Sequence, residues 1–140
     1  MKISEAIALV TGANGGIGQA LVRELLERGA HKVYAAARNP ETLAKLSESN
    51  PDRVVVIKLD VTDVASVEAA AKLAPDVNLL INNAGFSGDS GALASADVSN
   101  AKQEMDVNYF GPLNVSRGSS PLSSRTTMVA LWSTSCRSSR

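Results

Sequence analysis

Apolar residues along this chain follow two rhythms that take turns. Ala6-Ile7-Ala8-Leu9-Val10 is an unbroken run of strand length, and it gives way to Ile17, Leu21, Val22, Leu25 and Leu26, which recur at helical spacing and stop at Gly29. Short continuous runs suit strands buried on both faces, whereas a recurrence every three or four residues marks a helix with one apolar stripe. The pair then repeats. Lys32 to Ala37 reads as a second strand and Glu41 to Ser49 as a helix, opened at Asn39-Pro40 because the fixed φ of proline suits a first helical turn. After a turn at Pro51-Asp52, Val54-Val55-Val56-Ile57 is a β-branched run suited to a central strand. Val64 to Leu73 is an alanine-rich helix with Thr62 or Asp63 as its cap, and Val77 to Ile81 is a fourth strand. Phe86 to Ser95 reads as a glycine- and serine-rich loop before a helix from about Val98 to Val115, which Gly111-Pro112 should weaken or kink.

Strand and helix in strict alternation imply an α/β fold. A doubly wound parallel sheet results, with helices on both faces, right-handed crossovers and ligands at the carboxyl ends of the strands. About four strands and the long helix are visible, so the sheet reads as incomplete. Its first strand runs into Thr11-Gly12-Ala13-Asn14-Gly15-Gly16-Ile17-Gly18. Gly12 can take the tight turn, Gly16 removes a Cβ where a pyrophosphate must approach the backbone, and Gly18 lets the helix lie close to the sheet. The helix then offers unpaired N–H groups and its positive dipole end to an anion. A bare steric turn is the competing reading, and the strand before and helix after the glycines favour a nucleotide.

The spacing Thr-Gly-x-x-x-Gly-x-Gly resembles the short-chain dehydrogenase/reductase family. Leu59-Asp60-Val61-Thr62 is similar to that family's adenine-contacting segment, Asn82-Asn83-Ala84-Gly85 to its motif after strand four, and Asp106-Val107-Asn108 to its helix-borne asparagine site. The resemblance covers residues 1 to about 115 and implies a Rossmann-like domain that binds NAD(P). It further implies hydride transfer between the cofactor and a small carbonyl or alcohol substrate. By it, Thr11, Gly12, Asn14, Gly16, Ile17 and Gly18 belong to the cofactor site. The Asp60 carboxylate accepts from the adenine amino group and the Val61 N–H supports the ring, while the bland reading of Asp60 is a helix cap. Ala84 and Gly85 permit approach of the nicotinamide ribose, and Asn82 and Asn83 tie neighbouring strands together, Asn83 also counting among the cofactor residues. Asn108 is the resemblance's one catalytic position, holding a water in a proton relay, against the plain alternative of a helix asparagine bonded to backbone.

Arg38 bears on the choice of cofactor. Many dinucleotide enzymes place an acid on the adenosine ribose after strand two, but no acid stands between Lys32 and Pro40. That favours NADP over NAD, because an arginine can grip a 2′-phosphate with two parallel charged hydrogen bonds. A solvated surface arginine is the competing reading. His31 reads as a solvated loop residue and Tyr34 as core.

Formal net charge is zero, yet residues 1–115 carry −4 and residues 116–140 carry +4. No basic stripe lies on a periodic element, so nucleic-acid binding has little support. Apolar runs are strand-sized, without a membrane span or secretory signal. Cys136 is alone, which excludes an internal disulfide and makes a reducing cytoplasm the default location. The segment 116–140 holds nine serines, four arginines and no acid, with no sustained period, and reads as disordered or non-native sequence beyond a truncated 1–115 domain. One mechanism accounts for it. A reading-frame shift near residues 116–118 would turn the T-initial codons of Trp132, Ser133, Ser135 and Cys136 into second-position T, which encodes apolar residues.

The resembled family's chemistry uses a tyrosine acidified by a lysine four residues later, and a serine that orients the substrate oxygen. Here Tyr34 and Tyr109 are followed four positions on by Arg38 and Leu113, and no serine can be assigned. Two readings therefore stand. The chain is the cofactor-binding portion of a carbonyl reductase or alcohol dehydrogenase, itself inactive, or it is a non-catalytic module that binds NADP(H). An uncovered sheet edge and helix faces favour self-association under either.

Overall fold

The computed structural model describes residues 2–88, 98–118 and 127–130. Five parallel strands form one sheet in the order β3-β2-β1-β4-β5. They are β1 Ile7–Thr11, β2 Lys32–Ala37, β3 Val54–Lys58, β4 Leu79–Asn82 and β5 Thr127–Ala130. The helices are α1 Gly16–Glu27, α2 Ala44–Ser49, α3 Val64–Leu73, α4 Ser99–Met105 and α5 Gly111–Gly118.

Alternation within the apolar strands supplies two cores. Ala8 and Val10 of β1 with Val33, Ala35 and Ala37 of β2 face α1 and α2. Leu9, Tyr34, Ala36 and Leu80 face the opposite way, against Val67 and Ala70 of α3 and Val115 of α5. This is why the strands read as continuous apolar runs. α1 ends in a Schellman turn: Ala30 N–H donates to Leu25 O at 2.8 Å and Gly29, at φ +85°, donates to Leu26 O at 3.1 Å. Arg53 adds bonds from Nη1 to the carbonyls of Leu26 and Ala30 at that helix end. α3 begins where expected, and Asp63 rather than Thr62 is its cap, accepting from Ala65 N–H at 2.9 Å. Pro40–Leu43 forms a 3-10 turn before α2, with the Asn39 side chain accepting from Glu41 N–H.

Two expectations are corrected. The long helix is not uniform: α4 passes through a π-helical segment, Asp106–Phe110, before α5 begins at Gly111. Second, the 116–140 segment is not without structure. α5 runs to Gly118, and Thr127-Met128-Val129-Ala130 pairs with Leu79–Asn82 as a fifth strand. The Thr-Met-Val-Ala strand is only four residues long, too short to stand out among serines and arginines. Trp132, Cys136 and the segment around them lie outside the described residues.

Candidate functional site

The carboxyl ends of β1, β2, β3 and β4 converge on one cavity of about 410 Å³. At its centre Gly12 takes φ +63°, and a Cβ there would stand 2.7 Å from the Ala84 Cα. Only glycine lets the β1 turn and the β4 turn lie against each other. A Cβ at Gly18 would meet the Gly12 carbonyl oxygen at 2.3 Å, so the start of α1 packs directly on the turn. At Gly16 a Cβ would meet nothing within 4 Å. Gly16 itself lines the cavity, and no side chain caps the start of α1. The first N–H groups of the helix thus remain available to an anion, and the residues present fit a phosphate-bearing ligand.

Gly12, Asn14, Gly16, Ile17, Gly18, Arg38, Asp60, Val61, Asn83, Ala84 and Gly85 all line this cavity, so eleven of the expected residues meet there. Thr11 and Asn108 do not. Thr11 is buried behind it, where its hydroxyl accepts from the N–H groups of Asn83 at 2.9 Å and Ala84 at 3.0 Å. The Asn83 amide completes the tie, donating to Thr11 O at 3.0 Å and Gly12 O at 3.1 Å. The Asn108 side chain bonds the backbone of Phe86 through both its polar atoms, accepting from its N–H at 2.8 Å and donating to its carbonyl at 2.7 Å. In this arrangement it acts as a clamp on the β4 loop, reinforced by Gly88 N–H donating to Glu104 Oε1 at 2.7 Å. Asn82 donates to Ser116 Oγ at 3.4 Å.

Asp60 uses one carboxylate oxygen to accept from the Thr62 N–H at 2.9 Å and the Thr62 hydroxyl at 2.7 Å. Burial pushes its carboxyl up, but the Thr62 hydrogen bonds and the nearby Arg38 charge outweigh burial and hold it below the usual carboxylate range. It is therefore an ionised acceptor on the cavity wall. Arg38 is exposed at the rim, without a hydrogen bond or ion pair among the described residues.

Gly15, Ala37, Leu59, Phe86 and Val107 also line the cavity, of which only Leu59 stood in a segment expected at the cofactor, without being named as a contact itself. Ala37 and Leu59 stand at the ends of β2 and β3, where the rule for parallel sheets would have placed them. Phe86 directly follows the Asn82–Gly85 motif. Val107 has no comparable signal, since the π-helical turn sets its direction.

A tyrosine and a lysine do meet in this structure, at the other end of the sheet. Lys32 Nζ donates to Tyr34 OH at 3.1 Å and to Asp76 Oδ2 at 2.9 Å, while Tyr34 OH donates to Asp76 Oδ1 at 2.7 Å. Burial, then the bond to Asp76, pushes the Tyr34 phenol above its ordinary value, so it keeps its proton. This cluster cannot serve as the activated pair.

The sequence profile of the short chain dehydrogenases matches residues 6–138. The chain belongs to that family. Among relatives, the short chain dehydrogenase tazN of Aspergillus terreus is 38% identical over 121 residues, covering 81% of this chain and 26% of that protein. The oxidoreductase calM of Penicillium decumbens is 34% identical over 119 residues, covering 80% and 38%. A crystal structure of a short chain dehydrogenase from Burkholderia cenocepacia J2315 in complex with NADP is 48% identical, with a TM-score of 0.79 over 87% of this chain and 50% of that one. The chain thus spans roughly a quarter to a half of the length of such family members. The family match reaches beyond residue 115, where the motif resemblance stops, and includes β5.

Proposed function

We propose that the cavity binds NADP(H) and that, in the full family architecture, it serves hydride transfer between this cofactor and a small carbonyl or alcohol substrate. The observation that carries the choice of cofactor is Arg38, exposed at the rim with no hydrogen bond or ion pair among the described residues, on a β2 end that has no acid of its own. The NADP in the similar Burkholderia structure supports the same reading. The start of α1 would hold the pyrophosphate, Asp60 and Val61 the adenine, and Ala84 and Gly85 the nicotinamide ribose, with Arg38 and Asn14 toward the 2′-phosphate. Bound there, NADP(H) supplies or accepts the hydride. Phe86, held by Asn108, and Val107 give that end of the cavity apolar walls that exclude water. Asn108 would act by holding the β4 loop, as a positioning residue. The lone Cys136 and the cofactor's reducing role fit a cytoplasmic location.

Calorimetric titration tests the assignment. NADPH should bind more tightly than NADH, and Arg38→Ala should remove most of the difference. Charged hydrogen bonds of about 1.5–3 kcal/mol correspond to about tenfold to a hundredfold in affinity. Equal affinities in the unsubstituted chain would refute the choice of NADP.

A second reading has its own support. No Tyr-x-x-x-Lys occurs in these 140 residues, and the Tyr34–Lys32 contact lies away from the cavity. On that reading the chain is a non-catalytic dinucleotide-binding module, and the two readings part over turnover of carbonyl compounds.

A further inference from the structure

One peptide unit of the glycine turn is fixed at both ends. Gly15 N–H donates to the Gly12 carbonyl at 3.2 Å. The other end of the same unit, the Asn14 carbonyl, accepts from Gln19 Nε2 at 3.1 Å. Gln19 Oε1 in turn accepts from Arg23 Nη2 at 3.2 Å, one turn further along α1. Because Arg23 can only donate, it claims the oxygen of the Gln19 amide and leaves the nitrogen facing Asn14.

Packing does not hold this unit. Asn14 and Gly15 are exposed and line the cavity, and a Cβ at Gly15 would meet only the Gly12 oxygen, at 3.6 Å. A peptide unit next to glycine in so open a turn has little steric resistance to reorientation. A flip would set the Asn14 oxygen against the Gly12 oxygen and open the turn on which the start of α1 rests. We propose that Gln19 is a positioning residue for cofactor binding, locking the Asn14–Gly15 peptide unit through its side-chain amide while Arg23 orients that amide. The proposal rests on the dinucleotide reading of the cavity. Its physical content is preorganisation: a turn already shaped for phosphate loses less freedom when the ligand arrives.

Gln19→Met keeps the side-chain length and removes the donor, and Arg23→Met removes only the orienting group. Backbone amide exchange followed by NMR in the ligand-free chain reads the lock directly. In Gln19→Met the Gly15 amide should exchange about tenfold faster, while amides from Val22 to Leu26 stay unchanged. Calorimetry with NADPH should then show Kd raised about threefold to tenfold in Gln19→Met, with a smaller rise in Arg23→Met. Unchanged Gly15 exchange overturns the proposal. So does faster exchange along the whole of α1, which marks plain helix stabilisation, or faster Gly15 exchange with unaltered NADPH affinity. An unsubstituted chain that binds neither NADPH nor NADH overturns the cavity reading and the positioning role with it, and that result appears before any substitution is made.

Discussion

Gly16 and Gly18 stand two positions apart and serve opposite ends. A Cβ at Gly18 collides with the Gly12 backbone at 2.3 Å, whereas one at Gly16 enters space the protein leaves empty. Gly18→Ala should therefore lower the thermal midpoint, by a strain of about 1–3 kcal/mol. Gly16→Ala should leave the midpoint unchanged or slightly raised, since alanine is the better helix former, yet weaken dinucleotide binding by occupying the phosphate side. Thermal denaturation and calorimetry on both variants separate folding from binding, and a binding loss only in Gly18→Ala would contradict the assignment of the open side. The close packing at Gly12 and Gly18 was legible because glycine spacing encodes where backbone must approach backbone. The positions of Thr11 and Asn108 were less so. Their residue types suit a cofactor contact or a relay, but only three-dimensional neighbours reveal that each spends its polar atoms on the β4 loop.

At the scale of elements, strands and helices with a clear apolar rhythm were readable from sequence almost to the residue, α3 and β2 in full. What escaped was geometry without rhythm: the π-helical segment and the short β5. Gly111 illustrates the difference, since its pairing with Pro112 suggests weakness, while in the structure its missing Cβ lets α5 sit on Val61, whose Cγ2 lies 2.7 Å from where that Cβ would be. Gly111→Ala should destabilise the fold by about 1–3 kcal/mol and, because Val61 lines the cavity, also weaken cofactor binding. A variant with a lowered midpoint and intact affinity would show that Val61 gives way without disturbing the site. Elsewhere, Asp76 joins the α3–β4 connection to β2. Burial raises its carboxyl, but bonds from Tyr34 and then Lys32 outweigh this and hold it below the usual range. A depressed carboxyl stabilises the fold at pH values above its unfolded value of about 3.9, and the contribution is lost as pH falls through the folded value. Asp76→Asn should accordingly be less stable at neutral pH and lose less stability on acidification to about pH 3. Parallel acid-unfolding curves for the two proteins would overturn this.

For the molecule as a whole, the family and the sheet architecture were legible, and the chain's own activity is a matter for measurement. Without Tyr-x-x-x-Lys, the purified 140-residue chain should reduce no carbonyl compound even with NADPH present, and turnover would exclude the non-catalytic reading. Met105, Tyr109, Phe110 and Leu113 leave an exposed apolar row along α4 to α5, so light scattering should find self-association, and a well-folded monomer would contradict it. Sequencing the coding DNA through codons 112–140 decides the proposed frame shift, which a stop in the alternative frame would exclude. The strand order β3-β2-β1-β4-β5 carries a kinetic consequence. β1, β2 and β3 pair as neighbours along the chain, but β1 meets β4 across a separation of about 70 residues, and the cavity straddles that late-closing seam. Long-range pairing of this kind forms slowly. During synthesis the first three strands can assemble with the glycine turn, Arg38 and Asp60 in place while the cavity wall of residues 83–86 is still missing. On the proposed dinucleotide reading, a ligand that touches both walls should slow the reopening of the seam.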